Sequence, residues 1–459
     1  ALMIVLVALL AGVSGDRRDG PPVPVGPGGE PVADSFFFVH RSLTGDGGIT
    51  VAVEELTTVL PAAPGVLEPG VVPWSKAGLI IKRSTDQGAS YAAIMLTGGH
   101  GVRMQHDFLH DTGAGPARWL RLERSGDVVT GYASADGARW TEVGTARLDG
   151  LGATVHAGLF VASPPSAQGM GTRGSVSTGV FTGLDVQGDW GDGDWTGTQI
   201  GGESPTFAGY PPGTAGSFAA SGGSVSVTGA GDIAPAVRDT LPTGGTLKDI
   251  LTGAFAALIA IAVVAALFIA GEYRRRLVHV TLAASPGRGG VLAAKAIVVG
   301  TAAFAAGFAG TVVAAPLGEA LARADGVHLF PVTTADGLRV ALGTAALLAI
   351  AAVLALSVGA ILRHAAGAVA VVVVLFVLPY VLVANPFTPA SAADWLARVT
   401  PAAAFAVQQT LEPYAQAEGV YTPYNGYFPL EPWAGLAVLA AWAAVGLVSA
   451  TALLRGRDA

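Results

Sequence analysis

Five uninterrupted apolar runs occupy the second half of the chain. Each has the length of about 17–25 residues that a helix needs to cross a bilayer, and none contains Asp, Glu, Lys or Arg. A strand interpretation fails because open sheet edges cannot satisfy their backbone hydrogen bonds in hydrocarbon. The pattern therefore predicts five transmembrane helices, at Ile250–Ala270, Ala296–Leu317, Val340–Leu362, Ala365–Val383 and Pro432–Leu454.

A shorter apolar run, ALMIVLVALLAGV, covers residues 1–13. It is too short to cross a hydrocarbon core of about 30 Å. We interpret it as the outer part of a truncated first transmembrane helix, which makes six spans, followed by a linker at 14–32. The alternative is the apolar region of a secretory signal. Both interpretations place the chain from residue 20 onwards outside the cell.

Between about residues 33 and 235 the hydrophobic period changes to two, and turn signals recur every eight to twelve residues. This pattern is typical of an all-β sandwich. Asp136-Gly137 offers the two positive-φ positions of a tight hairpin. A linker at 236–249 follows, and 250–459 is the transmembrane domain. Strands are predicted at 48–53, 77–83, 91–96, 119–124, 128–134, 140–143, 155–162 and 175–186.

Composition and charge support two different solvents for the two halves. Only 13% of residues are charged, against roughly 25% in soluble domains. Residues 1–247 carry 14 basic and 23 acidic residues, a net charge of −9, while 248–459 carry 12 and 10, a net charge of +2. We interpret these as a water-exposed half and a lipid-embedded half. The absence of Cys excludes a disulfide framework and a thiolate metal site.

Basic residues fall in alternate short loops, which orients the predicted helices. The richer loops face the cytoplasm by the positive-inside rule, so 14–247 lies outside. The basic residues of the loops and C-terminal tail predicted to face the cytoplasm are Arg274, Arg275, Arg276, Arg288, Lys295, Arg363, Arg455 and Arg457.

Several sandwich segments resemble concanavalin-A-like jelly-roll domains of secreted bacterial glycan-active proteins. They are LTGDGGITVAVEEL (43–56), WSKAGLIIKRS (74–84), WLRLERSGDVVTGYASADGARWTEVG (119–144) and VHAGLFVAS (155–163). In such domains a strand like GSFAASGGSVSVTGAGDI precedes one like DSFFFVH. Here the first stretch, 216–233, comes after the second, which indicates a circular permutation.

The resemblance implies sugar binding on aromatic platforms, for which Trp74, Trp119 and Trp140 are the candidates. Their positions in or beside alternating strands favour core packing over a sugar-binding platform. Asp189, Asp192 and Asp194 are weak calcium candidates, with a solvated turn as the alternative. A zinc site at His100, His106 and His110 with Asp107 and Asp111 is a further, weaker hypothesis.

A glycosidase would need two opposed carboxylates. Glu54 and Glu55 are adjacent and point to opposite faces of a strand. The sequence therefore offers no catalytic pair, and we expect no enzymatic activity in this chain.

The segment 271–295 reads GEYRRRLVHVTLAASPGRGGVLAAK. It predicts a basic anchor, a short helix at 277–285 lying along the membrane surface, a Pro-Gly break and a rising helix. The sequence of this segment is similar to that of the elbow of ABC-2-type export permeases. The matching residues that this resemblance assigns to coupling with an ATPase are Glu272, Tyr273, Arg274, Thr281, Leu282, Pro286 and Arg288. Here Arg275 and Arg276 stand where the family has a small residue.

The resemblance implies the membrane-spanning subunit of an ATP-driven exporter in a bacterial plasma membrane. None of the four lysines is preceded by Gly, so the sequence has no G-x-x-x-x-G-K-[ST] phosphate loop. We expect ATP and magnesium on a separate ATPase subunit, a second permease chain and no nucleic acid as partner. The alternative is a membrane-anchored carbohydrate-binding or adhesion protein, although one helix would suffice as an anchor. A membrane-bound glycan hydrolase is the third possibility.

The last outer loop, 384–431, contains an apolar stretch with Pro401 near its middle. It predicts a broken amphipathic or re-entrant helix. The aromatic stretch 421–433 predicts an interfacial belt.

Overall fold

The computed structural model describes residues 4–6, 23–63, 66–168, 171–201, 216–241, 244–274, 288–384, 388, 390–421 and 426–456. The chain divides into two compact units. The first, which we call the β unit, comprises 21–241 together with 413–420. The second, the helical unit, comprises 1–20, 242–412 and 421–459.

The β unit is an antiparallel sandwich, as the period-two pattern predicted. Its longest strand, β2, pairs through its first part with β11 and through residues 47–52 with β8. Strand β2 therefore belongs to both layers. The strands are β1 (Val32–Asp34), β2 (Phe36–Ala63), β3 (Val66–Gly70), β4 (Lys76–Lys82), β5 (Tyr91–Thr97), β6 (Val102–His106), β7 (His110–Ala114), β8 (Trp119–Ser125), β9 (Val128–Ser134), β10 (Thr141–Arg147), β11 (Thr154–Ala162), β12 (Ser166–Gln168), β13 (Gly171–Arg173), β14 (Val176–Asp189), β15 (Thr196–Ile200), β16 (Ser217–Ser221), β17 (Ser224–Ala230) and β18 (Ile233–Pro235).

A glycine marks the point where β2 passes between the two layers. Gly45 has φ +70°, a left-handed conformation that favours glycine. Its N–H donates to the carbonyl of Ala153 at 2.8 Å. On either side of this point, Leu43 and Ile49 are both buried in the core between the layers.

The sheet that contains β4, β5 and β11 is buried on both faces. Leu79, Ile94 and Leu159 lie in the core between the layers. The opposite face carries a second apolar cluster that includes Ile80 and Phe160. Because both faces are covered, these strands are continuously apolar rather than alternating.

The two ends of the sandwich sequence meet. Strand β1 pairs antiparallel with β18, with Val32 opposite Pro235 and Asp34 opposite Ile233. Adjacent ends are what insertion of a domain into another chain, or circular permutation, requires. The 3-10 helix η1 (Arg238–Thr240) follows β18. A second, η2 (Ala415–Val420), also belongs to the β unit, where Gln416 Nε2 donates to the carbonyl of Leu109 at 3.3 Å.

The helical unit contains five helices long and apolar enough to cross a membrane, so the described chain has the composition of a multi-pass membrane protein. They are α2 (Gly253–Arg274), α3 (Arg288–Ala324), α4 (Thr334–Leu362), α5 (Ala365–Ala384) and α7 (Pro432–Gly456). The first begins three residues later than predicted. Thr246 starts a separate short helix, α1 (Leu247–Ile250), whose capping box it forms with Asp249.

Consecutive long helices run in opposite directions, so the helical unit has two ends. At one end, Glu272 closing α2 pairs with Lys295 near the start of α3. We call this the elbow end. At the other, the loop end, Gly244–Gly245 pairs with His328–Leu329. Arg339 in the first turns of α4 also donates there to the carbonyl of Gln409.

The predicted break at Pro401 is present. Helix α6 (Ala390–Val399) ends before it. A 3-10 helix over Pro401–Gln408 follows, which we call η3 although it precedes η2 in the chain. All eight residues of η3 are buried. Residues 4–6 are helical, and Ile4 is buried in the main apolar cluster of the helical unit.

Candidate functional site

An ion pair fastens the two helices that flank the predicted coupling elbow. Lys295 Nζ donates to Glu272 Oε1, and both side chains are mostly buried. The Lys295 ammonium also lies 5.2 Å from the ring centre of Phe268, within cation–π range. Both ends of the 271–295 segment are thus held at one place.

Tyr273 meets a cation from a different helix pair. The Arg363 guanidinium carbon lies 5.2 Å from the centre of the Tyr273 ring. Arg363 forms the turn between α4 and α5 together with His364, whose Nδ1 accepts from Gly367 N at 3.1 Å. The predicted coupling residue Tyr273 therefore joins α2 to the next helical hairpin.

An apolar cluster lies beneath these polar contacts. Ile269, Leu292, Leu356 and Ala450 come from four different helices, and Tyr273 packs against their edge. These side chains pack directly against one another, and this van der Waals packing holds the helix ends together.

Of the other predicted coupling residues, Arg274 is the last residue of α2 and Arg288 the first residue of α3. Thr281, Leu282 and Pro286, with the whole predicted helix 277–285, lie outside the described residues. Their roles stay predictions.

The three tryptophans do not form one platform. Trp74 is 4% exposed and stacks on His100, with ring centres 4.3 Å apart. Trp119 and Trp140 are half-buried, and Trp119 alternates with the inward Leu120. The guanidinium of Arg121 lies 4.0 Å from the centre of the Trp140 ring. Core packing explains Trp74, whereas Trp119 and Trp140 remain near the surface.

The acidic turn at 189–195 is organised by an arginine. Arg41 donates to the carbonyl of Gly191 and lies 5.7 Å from the Trp195 ring. Asp189 Oδ1 accepts from Gly191 N. Among the residues that the structure describes, no three His, Asp or Glu side chains gather to hold a metal ion, so neither the calcium nor the zinc hypothesis gains a site here.

The histidines form two ring pairs instead. His106 and His110 stack with centres 4.2 Å apart, and His40 meets His156 edge-on at 5.0 Å. Burial, together with the neighbouring His156, lowers the pKa of His40 to about 4. Burial also lowers the pKa values of His106 and His156. The imidazole rings of His40, His106 and His156 are therefore neutral near pH 7.

Sequence reasoning missed two buried ion pairs in the β unit. Lys76 Nζ donates to Asp232 Oδ1 at 2.5 Å, and Lys82 Nζ donates to Asp34 Oδ2 at 2.7 Å. Both lysines are fully buried. Burial raises the pKa of Asp34, while the Lys82 charge opposes that rise. The only sequence signal was a lysine on each end of an apolar strand.

A polar contact inside the helical unit was also missed. Gln408 Nε2 donates to Thr344 Oγ1 at 3.1 Å, and both side chains are buried. It ties η3 to the middle of α4. An amide and a hydroxyl carry no charge, so a search for intramembrane charges passes over them.

No family model matches the chain, and no curated protein matches it. A structure described as a functionally unknown protein from Saccharomyces cerevisiae is 14% identical. The aligned region covers 34% of this chain and 77% of the yeast protein's chain, with a TM-score of 0.20. SCP-B, an eqolisin-family peptidase solved with the tripeptide Ala-Ile-His, is 10% identical and covers 42% of this chain and 98% of its own, with a TM-score of 0.23. Neither likeness is close enough to carry a function to this chain.

Proposed function

We propose that this chain is the membrane-spanning permease subunit of an ATP-binding-cassette exporter, with its β unit on the outer side of a bacterial plasma membrane. The observation that carries the proposal is the Glu272–Lys295 ion pair. It fastens both ends of the segment whose sequence resembles an ABC-2-type elbow. A segment held at both ends transmits a push to the helices rather than absorbing it.

The arrangement of the helical unit supports the same function. The elbow end lies opposite the loop end, which holds α1 and the pairing of Gly244–Gly245 with His328–Leu329. The elbow end contains three basic residues, which are Lys295, Arg363 and Arg455. A basic end suits the cytoplasmic surface, where anionic lipids attract Lys and Arg.

The proposal implies partners that carry the chemistry. ATP and magnesium bind a separate ATPase subunit, which contacts the elbow through 277–285, and a second permease chain completes the transport path. Ile4, packed among the helices of this unit, supports a sixth span formed by the run at 1–13. The joined ends β1 and β18 support insertion of a permuted sandwich between the first two spans.

The direct test is purification of the tagged full chain from membranes of its own cells in mild detergent. We expect a vanadate-sensitive ATPase to accompany it, and Glu272→Gln to reduce ATPase recruitment or stimulation by about 5–150-fold, the usual range of coupling between sites. The matched control is Glu319→Gln, a partly exposed carboxylate paired with Arg323 near the other end of α3. Absence of any ATPase, or equal effects of both variants, would contradict the proposal.

A membrane-anchored carbohydrate-binding protein is the second candidate, favoured by the surface positions of Trp119 and Trp140 beside Arg121. We expect Trp140→Ala to weaken retention of detergent-solubilised chain on cell-wall polysaccharide if this face binds sugar. Deletion of 20–240 separates the two functions. An exporter keeps its ATPase partner after the deletion, whereas an anchored binder loses its whole activity.

A further inference from the structure

The turn between α4 and α5 contains an arginine in an unusual backbone conformation. Arg363 has φ 55° and ψ 14°, the left-handed region. Helices commonly end with such a residue, but it is usually Gly or Asn, because a Cβ is unfavourable there. Among the described residues of the helical unit, no other non-glycine residue has a positive φ. A helix cap alone does not explain an arginine at this position.

The side chain of Arg363 supplies the explanation. Its guanidinium lies over the Tyr273 ring at 5.2 Å from the ring centre, a cation–π distance. One turn earlier, Gly359 lies directly against α2, where a Cβ would overlap the Ile269 side chain and lie 3.4 Å from Ala266. The close approach of α2 and α4 at Gly359 brings the end of α2 under the α4–α5 turn.

Tyr273 is adjacent to Glu272, which pairs with Lys295 on α3. The contacts therefore run from α3 through Glu272 and Tyr273 to Arg363. They connect three helices and the two-residue turn that begins α5.

We propose that Arg363 is a positioning residue that transmits displacement of the elbow to the α4–α5 turn through the Tyr273 ring. This inference rests on the proposed coupling role of Glu272 and Tyr273. It makes the second helical hairpin, and not only α2 and α3, part of the moving element. The left-handed backbone at Arg363 accompanies the placement of its guanidinium over the ring.

The test is a coupling measurement on the full chain in lipid nanodiscs, without nucleotide or ATPase. The chain has no Cys, so Ala366→Cys, an exposed position just after the turn, accepts a single nitroxide label. Glu272→Gln then perturbs the ion pair. We expect the ratio of mobile to immobile label at 366 to change by at least about fivefold, the lower range of coupling between sites.

The same perturbation is then made in variant backgrounds. Arg363→Gly suits a left-handed backbone and should fold, yet it removes the cation. Tyr273→Leu removes the ring. We expect the response at 366 to disappear in both, to persist in Tyr273→Phe and Arg363→Lys, and to persist in Leu362→Ala, an exposed neighbour. An equal response in the Arg363→Gly and unsubstituted backgrounds, or no response in either, overturns the inference.

This outcome is separate from that of the ATPase purification. A chain that recruits no ATPase but shows the coupled response contradicts only the exporter proposal. A chain that recruits an ATPase but shows the same response without Arg363 contradicts only the role of Arg363.

Discussion

The two units bury polar groups in different ways. The β unit encloses complete ion pairs, Lys76–Asp232 and Lys82–Asp34, with side chains at most 4% exposed. In the described part of the helical unit, the ion pairs Glu272–Lys295 and Asp336–Arg339 lie at helix ends, and a buried contact between two polar side chains, Thr344–Gln408, is neutral. The helices instead approach through small residues such as Gly343 and Gly359.

This difference follows from what surrounds each unit. A sandwich folding in water gains its core from the hydrophobic effect and can include a few paired charges that fix strand arrangement. Helices in lipid gain no such driving force from one another and associate through close packing and hydrogen bonds. We therefore expect the stability of the β unit to fall most when a buried charge loses its partner. We expect the stability of the helical unit to fall most when a small residue at a helix contact is enlarged.

The largest expected effect is the loss of Lys82. Lys82→Met leaves the buried Asp34 carboxylate with only the backbone N–H of Gly88 as a partner, and should destabilise the β unit by about 3–5 kcal/mol. Pulse proteolysis of the full chain in urea, following fragments of the β unit, measures the loss. The double variant with Asp34→Asn should recover most of it; no recovery would show that packing, not the unpaired charge, sets the cost.

The next effect is overpacking of the helical unit. Gly359→Ile forces a side chain against Ile269 and Ala266 and should destabilise the helix packing by about 1–3 kcal/mol. Thermal unfolding in detergent measures it. Gly337→Ala, in the same helix with open space around it, is the control. Equal effects of the two substitutions would contradict close contact between α2 and α4.

The third effect is a pH dependence confined to the β unit. The pKa of His40 is lowered from 6.5 to about 4, so the folded state binds fewer protons than the unfolded state between these values. Its contribution to stability is complete above about pH 6.5 and is lost as the pH falls towards 4. His156 and His106 act in the same direction.

We expect His40→Gln to flatten the decline in stability of the β unit between pH 6.5 and 4. Urea unfolding followed by proteolysis at a series of pH values measures the slope. A slope unchanged by the substitution would show that other groups cause the decline.

The smallest effect belongs to an exposed pair in the helical unit. Arg398 and Asp394 form an i,i+4 ion pair with both side chains about half exposed. Arg398→Gln should change the free energy of unfolding by no more than about 1 kcal/mol. A larger loss in thermal unfolding would mean that this pair does more than stabilise the surface of α6.

The sequence predicted the elements whose periodicity is strong. All five apolar runs are helices, and the strands at 77–83, 91–96, 119–124 and 128–134 are present. The length of the apolar runs predicts the helices, and the alternation of apolar and polar residues predicts the half-buried strands. A strand near residues 100–110 was expected without bounds, and β7 was not predicted as a separate strand because it is short and largely exposed.

The candidate site was only partly predictable. Glu272 and Tyr273 were singled out by resemblance, yet their partners Lys295 and Arg363 come from positions 23 and 90 residues further on. Such distant pairing depends on helix packing that no local pattern encodes. Core packing, the interpretation that the sequence favoured, holds for Trp74, but an aromatic residue beside a strand looks the same in sequence whether it faces the core or the solvent.

The proposed function requires residues of the β unit to lie outside the cell and the elbow end of the helical unit to lie inside it. In this cysteine-free chain, Ala219→Cys on β16 and Gly456→Cys at the end of α7 are exposed positions that can be labelled separately. We predict that a membrane-impermeant thiol reagent modifies residue 219 on intact cells and residue 456 only after permeabilisation. Modification of both residues on intact cells would contradict the account.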